Sequence, residues 1–512
     1  MSNATFRATN PATGEALDPE FVESGEAEVD AALRAAGSVF AEFARSTPHA
    51  RAGLLRAIAE ELLELGAPLL ERANAETGIP VVRLEMERTR TMNQLRLFAD
   101  LLEEGSWVEA RIDTADSTRT PLPRPDIRRM LVPLGPVAVF CASNLPLAFS
   151  VAGNDTASAL AAGCPVVCKA HPGHPGTADL TARAVARALE RCGMPPAIFS
   201  LVHGWSHAVG LALAKHPLTR AVGFTGSLRG GRAIFDAAAS RPEPIPVYAE
   251  MGSINPVFLL PSVLAQRSEA LAKGLAQSIT VNVGQFCTNP GVLLGVRGED
   301  LDALVRAVGE RIGAADGGVM LYDGLRKSFV DGLSRARDHG ATLSAGAGNI
   351  ADKFKVVPAL LSTDATRFIA EPTLHAELFG PSSLIVGAAD VSELERVAES
   401  LEGQLTASIH GTEQELRENT RLVEILLRRV GRLIFNGFPT GVEMGHAMQH
   451  GGPYPASTDS RTTSVGTAAI TRFARPACFQ NFPDSALPAA LQRRNALGIW
   501  RLVNGALTRA EG

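Results

Sequence analysis

The chain has 512 residues, 46% of them hydrophobic and 20% charged, with a formal net charge of -5. That length exceeds one ordinary hydrophobic core and predicts two or three domains. So small a negative charge gives no basic surface for nucleic acid or anionic membrane, and no apolar run approaches the roughly 20 residues of a membrane helix. The opening MSNATFRATNPATGE lacks the charged start and apolar centre of a secretory leader. The six cysteines (Cys141, Cys164, Cys168, Cys192, Cys287 and Cys478) form no CxxC pair, and CPVVCK reads as a buried strand, so no metal is called for. A reducing, cytoplasmic setting is expected.

The first hundred residues read as helices. RAGLLRAIAEELLELGAPLLERANAETG repeats apolar residues every three or four positions and stops at Gly78, and a second helical pattern runs from about Leu84 to Leu102. Next comes TADSTRTPLPRPDIRR, polar and proline-rich, with two readings, a linker or a protruding hairpin. From Met130 the text alternates. Strand-like LGPVAVFCA, CPVVCKA, AIFSLVHG, RAVGFTGS and PVYAEMGS are separated by helical segments such as TADLTARAVARALERCG. That order predicts a parallel sheet covered on both faces, with ligands beyond the C-terminal strand ends. A second alternating series runs from NPVFLLP to LIFNGF, which sets a domain boundary near Ser253. The last seventy residues are loop-rich.

Cys287 stands in GQFCTNPG. A thiolate attacks carbonyl carbon, and an aldehyde oxidised in this way needs oxyanion donors, a carboxylate base for water and a nicotinamide site. Glu250 closes the apolar run PVYAE, where it is either the base or a solvated strand end. Asn144 in CASNLPLAF follows another strand, either as an oxyanion amide or as a turn residue. The formal GxGxxG match at residues 346–351 is not followed by a helix and is rejected. FTGSLRGG fits a dinucleotide better: Gly226 and Ser227 follow a strand and open a helix, with Gly231 further on. The histidines of KAHPGHPG read as a rigid loop rather than as metal ligands.

SNLPLAF, VVCKAHP, FTGS, AEMGS, GQFCTNPG, ELFGP and IFNGF, in that order and over essentially the whole chain, resemble the aldehyde dehydrogenase superfamily. The resemblance implies an α/β fold of that type: a Rossmann-type cofactor domain, a second α/β catalytic domain and a small oligomerisation hairpin. The corresponding boundaries are 1–113 with 130–252 for the cofactor domain and 253–440 for the catalytic domain. Residues 114–129 and 465–485 become oligomerisation segments, and 441–512 a C-terminal wrap. It implies Cys287 as nucleophile, Glu250 as deacylation base and Asn144 in the oxyanion hole. It also implies Lys169, His171, Pro172, Gly226, Ser227, Gly231, Glu377 and Phe379 around the cofactor, and a homodimer or homotetramer.

Some positions depart from the common pattern. Pro172 replaces a glutamate that many NAD-preferring members place on the ribose, so NADP is expected, with NAD possible. Arg90 shares a helix face with Asn93 and Gln94, either meeting an anionic substrate or facing solvent. Ala152 is small where many relatives carry an aromatic, and Phe286 adjoins the nucleophile. RTMNQLRLFA and EMGHAMQHGGPYPASTDSRTTSVG are most similar to the branch of 2,5-dioxovalerate (alpha-ketoglutaric semialdehyde) dehydrogenases, which also resembles NADP-dependent fatty aldehyde dehydrogenases. The expected reaction is 2,5-dioxopentanoate to 2-oxoglutarate, and a fatty aldehyde is the competing substrate. The same fold also admits a CoA-acylating enzyme, in which CoA rather than water releases the acyl group, and a non-catalytic binding or structural protein.

Overall fold

Strand-forming runs and helical periods sort into separate sheets in the computed structural model, which describes residues 4–346 and 354–511. A five-stranded parallel sheet follows the order Phe199–Val202, Val166–Lys169, Val137–Phe140, Ala221–Thr225, Val247–Glu250. Its first strand in sequence lies at the centre and the chain then builds outward on both sides. That creates a switch point beyond the C-terminal strand ends, the usual cleft for a ligand. Val137, Ala138, Val166, Val167, Ala221 and Val222 are all buried, as expected of strands covered by helices on both faces.

The second half forms a seven-stranded sheet in the order Thr342–Gly346, Ala359–Asp364, Ser382–Ala388, Val292–Val296, Val257–Leu259, Gln404–His410, Val430–Phe435. All its pairings are parallel except that of Thr342–Gly346, which is antiparallel. Gly346, the start of the rejected glycine motif, ends that edge strand; residues 347–351 lie outside the described ones.

The amino-terminal hundred residues are not all helical. Thr5–Thr9 and Ala16–Val22 pair as an antiparallel hairpin whose faces are largely exposed, so no apolar alternation advertises it. The long helical run also divides. Helix Pro48–Glu64 starts on Thr47, whose side chain accepts from the Ala50 N–H, and Gly66, at φ +58°, breaks it from helix Gly66–Thr77. Helix Val81–Glu104 covers the second predicted run and reaches beyond it at both ends.

The proline-rich segment leads into strand Ile127–Pro133. This strand pairs with Arg111–Asp113 and with Ala474–Gln480, and Arg501–Val503 with Ala506–Thr508 extends the same sheet. The segment therefore joins a five-stranded sheet that includes part of the expected C-terminal wrap. Among the described residues no helix is long and apolar enough to cross a membrane.

Candidate active site

The cleft collects residues from both sheets and from the C-terminal loops. Glu250 ends the edge strand Val247–Glu250, and Asn144 lies four residues beyond strand Val137–Phe140. Cys287 comes from the segment that leads into strand Val292–Val296 of the seven-stranded sheet, after a turn in which Asn282, Val283 and Gly284 all have positive φ, at 52°, 56° and 65°. Gly284 cannot be replaced: a Cβ there would stand 2.2 Å from the Gly380 carbonyl oxygen. The loop is pinned further by Asn255, whose Nδ2 donates to the carbonyls of Cys287 and Asn289 at 2.8 and 2.9 Å. The Asn144 side-chain amide donates to the Gln285 carbonyl at 3.0 Å. One of its two N–H groups thus orients the amide, and the second is left for a substrate oxygen.

A fourth residue completes this cluster. His450 is fully buried, with Nε2 3.5 Å from Cys287 Sγ and 3.1 Å from Glu250 Oε1. Ser464 Oγ donates to the other oxygen of Glu250 at 2.5 Å. Burial pushes the Glu250 carboxyl up, but His450 and the hydrogen bonds outweigh it and hold the group below its ordinary range. The Cys287 thiol moves the other way. Burial and the Glu250 charge, helped by Glu377, raise it well above the usual value. The resting residue is therefore a thiol beside an ionised carboxylate, with His450 Nε2 within reach of both.

This electrostatic arrangement makes a pH prediction. Alkylation of Cys287 in the resting protein by iodoacetamide should rise about tenfold per pH unit from 6 to 9 without levelling off, because only the thiolate reacts. A plateau below pH 8 would contradict the raised thiol. His450→Asn should slow alkylation further at each pH, as it removes an imidazole 3.5 Å from the sulfur that can take up its proton.

Two cavities meet at Cys287. The first, of about 240 Å³, is bordered by Asn144, Gly226, Ser227, Glu250, Glu377 and Phe379. Ser227 caps helix Leu228–Ala239 by accepting from the Gly230 N–H, and no acidic residue occupies that helix's first turn. Its N-terminal amides suit a pyrophosphate. Gly252 permits the close approach of Glu377, since a Cβ would lie 2.6 Å from Glu377 Oε2. Burial, aided by the Glu250 charge, pushes the Glu377 carboxyl up to about 7. These residues fit a nicotinamide dinucleotide held against the thiol. Gly231 packs beneath, against Met251. Lys169, at a strand end, donates to the carbonyls of Gly204 and Ala170. His171 and Pro172 border a separate cavity of about 480 Å³ with Trp205, Tyr322 and Arg326, and Tyr322 stands on the wall of both spaces.

The second cavity at Cys287 is a tunnel of about 650 Å³. Arg83, Arg90 and Arg432 line it, together with Phe149 and Phe286. Arg83 lies over the Phe286 ring at 5.7 Å. Arg90 Nη1 donates to the Val442 carbonyl. The Arg432 Nη atoms donate to Gly441 and Pro439 carbonyls, and its Nε is buried without a partner. Among the described residues no carboxylate oxygen comes within 4.0 Å of these three guanidinium groups. Glu87 also reaches the tunnel wall. Its Oε1 accepts from the Leu147 and Ala148 N–H groups at 2.8 and 2.9 Å, fixing the turn after Asn144, and burial pushes its carboxyl up to about 7. Ala152 is packed into the core at 1% exposure, and Phe149 stands on the tunnel wall.

His450, Ser464, Arg432 and Glu87 carry no role that the sequence alone assigns. His450 lies 163 residues from Cys287, in a loop without period. Its signal is the MQHGG run, a family likeness and not a chemical pattern.

The model of the aldehyde dehydrogenase family matches residues 1–473. "Alpha-ketoglutaric semialdehyde dehydrogenase 2" of Azospirillum brasilense is 49% identical over 506 residues, covering 98% of this chain and 96% of the relative. "Alpha-ketoglutaric semialdehyde dehydrogenase" of Acinetobacter baylyi is 45% identical, covering 94% and 91%. Among solved structures, a mutant of aldehyde dehydrogenase C from Pseudomonas syringae, complexed with NAD+ and octanal, superposes with a TM-score of 0.79 at 22% identity, covering 95% of each chain. Glyceraldehyde-3-phosphate dehydrogenase GapN from Methanocaldococcus jannaschii, complexed with NADP, gives 0.78 at 19% identity, covering 93% and 98%.

Proposed function

This chain belongs to the aldehyde dehydrogenase family, and we infer that it oxidises 2,5-dioxopentanoate to 2-oxoglutarate, with NADP preferred over NAD. The general reaction, an aldehyde converted to its acid with NAD(P), follows from membership. The substrate rests on one observation above the others: a tunnel ending at Cys287 carries three arginines against two glutamates, Glu87 and Glu443, neither of which comes within 4.0 Å of a guanidinium group. A partly buried surplus of cations is costly, and a substrate carboxylate supplies the balancing charge. Arg432 has its Nε–H and one hydrogen on each Nη left over, enough for a forked contact with a carboxylate. The names of the two relatives point to the same substrate.

Cys287 passes its proton to Glu250 through His450 and attacks the aldehyde carbon. The second Asn144 N–H and the Cys287 backbone N–H hold the oxyanion. Each such donor is typically worth about 3 kcal/mol. NAD(P), when bound, supplies the acceptor for hydride. Glu250 releases the thiol's proton to solvent, then takes a proton from the water that opens the thioester on Cys287, and Ser464 keeps its carboxylate aligned. Lys169, Gly226, Ser227, Glu377 and Phe379 hold the dinucleotide. Pro172 adds no negative charge that would repel a 2'-phosphate, which supports NADP. The five-stranded sheet that Ile127–Pro133 joins serves in homo-oligomer assembly, and the free thiols suit the cytoplasm.

A kinetic panel tests the substrate. The wild-type protein should favour 2,5-dioxopentanoate over pentanal by roughly 100-fold or more in kcat/KM, about the strength of charge-assisted contacts. Arg432→Met should remove most of that preference through KM and leave pentanal oxidation near the wild-type rate. Equal or better use of pentanal and longer aliphatic aldehydes by the wild type would sink the dicarboxylic reading in favour of a fatty aldehyde.

A further inference from the structure

We propose that Cys287, His450 and Glu250 also form a latent binding site for Zn²⁺, and that the ion reversibly shuts off the enzyme. The donor atoms of the three residues lie within 4.8 Å of one another. Zinc binds sulfur at about 2.3 Å and nitrogen or oxygen at about 2.0 Å, so a tetrahedral ion sets neighbouring S and N atoms about 3.5 Å apart and N and O atoms about 3.3 Å apart. Cys287 Sγ to His450 Nε2 is 3.5 Å, and His450 Nε2 to Glu250 Oε1 is 3.1 Å. Two edges of a zinc tetrahedron are already in place, and the thiol, the imidazole and the carboxylate are all donors zinc accepts. Cys287 and His450 line the tunnel, and Cys287 and Glu250 the cofactor cavity, so two open spaces adjoin the fourth position.

Charge favours the ion as well. The groups facing Cys287 are Glu250 and Glu377 toward the cofactor cavity, Arg90 and Arg432 toward the tunnel, and His450 between them. A thiolate beside ionised Glu250 is two negative charges in a dry site. A dication neutralises both, while one proton leaves the thiol for solvent. Binding should therefore tighten by about tenfold per pH unit in the neutral range. Ser464 on Oε2 leaves Oε1 free and holds the carboxylate still, as an outer-shell partner does. The other His450 nitrogen, Nδ1, is buried without an acceptor. Missing outer-shell support of that kind costs about 10- to 100-fold in affinity, so the site should bind zinc in the micromolar range and release it to a chelator. Bound zinc occupies the nucleophilic sulfur and the base together, so inhibition should be competitive with the aldehyde.

Cobalt(II) reports the site directly. Titrated into the whole reduced protein, it should give a near-ultraviolet thiolate-to-cobalt band that saturates at one equivalent and is displaced by Zn²⁺. Cys287→Ala should abolish the band. His450→Asn should weaken cobalt binding by at least about tenfold. Zinc should inhibit at micromolar concentration, with full recovery on adding EDTA. The cobalt arm stands whether or not the substrate assigned above is right; only the inhibition arm rests on that reading, and any aldehyde turned over can serve for it. Absence of the band, its persistence in Cys287→Ala through the more exposed Cys192 or Cys478, or an unchanged affinity in His450→Asn would overturn the proposal.

Discussion

Cys287→Ala should lower turnover by on the order of 10⁴-fold or more, the scale seen when a covalent nucleophile is removed. No other thiol can stand in. Cys141 and Cys168 face each other at 3.3 Å in the buried interior of the first sheet, and Cys164 is fully buried behind it. The substitution removes the bond-forming atom and leaves the scaffold: the loop is fixed by Asn255, by Gly284 and by the Asn144–Gln285 contact, none of which uses the sulfur. Thermal shift with NADP should therefore match that of the wild type while activity disappears. Retained turnover would remove Cys287 from the chemistry. Lost NADP binding would mean that the sulfur is structural.

Glu250→Gln should separate the two halves of the reaction. The amide fills the same space, accepts from Ser464 and still faces His450, but it cannot take a proton from water. Thioester hydrolysis should slow by about 10² to 10⁴, while one equivalent of NADPH still forms quickly in a burst. Because Glu250 also receives the thiol proton through His450, the burst itself should slow modestly and recover toward high pH, where the thiolate forms unaided. In the wild type, added CoA should leave the product as the free acid, since water activated by Glu250 opens the thioester. An acyl-CoA product from the wild type would support a CoA-acylating enzyme instead.

The doubly wound sheet was legible because its strands are continuous apolar runs separated by helical periods. Glu250, Asn144 and Gly226 could be placed because a residue just after such a run must lie at the ligand-binding edge. Cys287 was visible through its glycine-rich surroundings, and both of those glycines face backbone: a Cβ would stand 2.2 Å from the Gly380 carbonyl oxygen at Gly284 and 3.0 Å from the Ile254 carbonyl oxygen at Gly291. His450, Ser464 and Arg432 left no such trace. They reach the cleft from the C-terminal loops and an edge strand, and tertiary packing alone sets their positions. Glu87 reads as one more charged residue on a helix until Leu147 and Ala148 are seen to point their N–H groups at it. The amino-terminal hairpin was missed for a simpler reason: an exposed two-stranded ribbon buries little, so its alternation carries little hydrophobic signal.

The central claim is that an aldehyde becomes an acid through a thioester on Cys287 that water, activated by Glu250, must open. Glu250→Gln, mixed with 2,5-dioxopentanoate and NADP, quenched in acid within the burst and digested, tests it by mass spectrometry. The account predicts a 2-oxoglutaryl group on the peptide carrying GQFCTNPG, at a stoichiometry matching the NADPH formed. A full NADPH burst with that peptide unmodified, or with the acyl group on another cysteine, would contradict it.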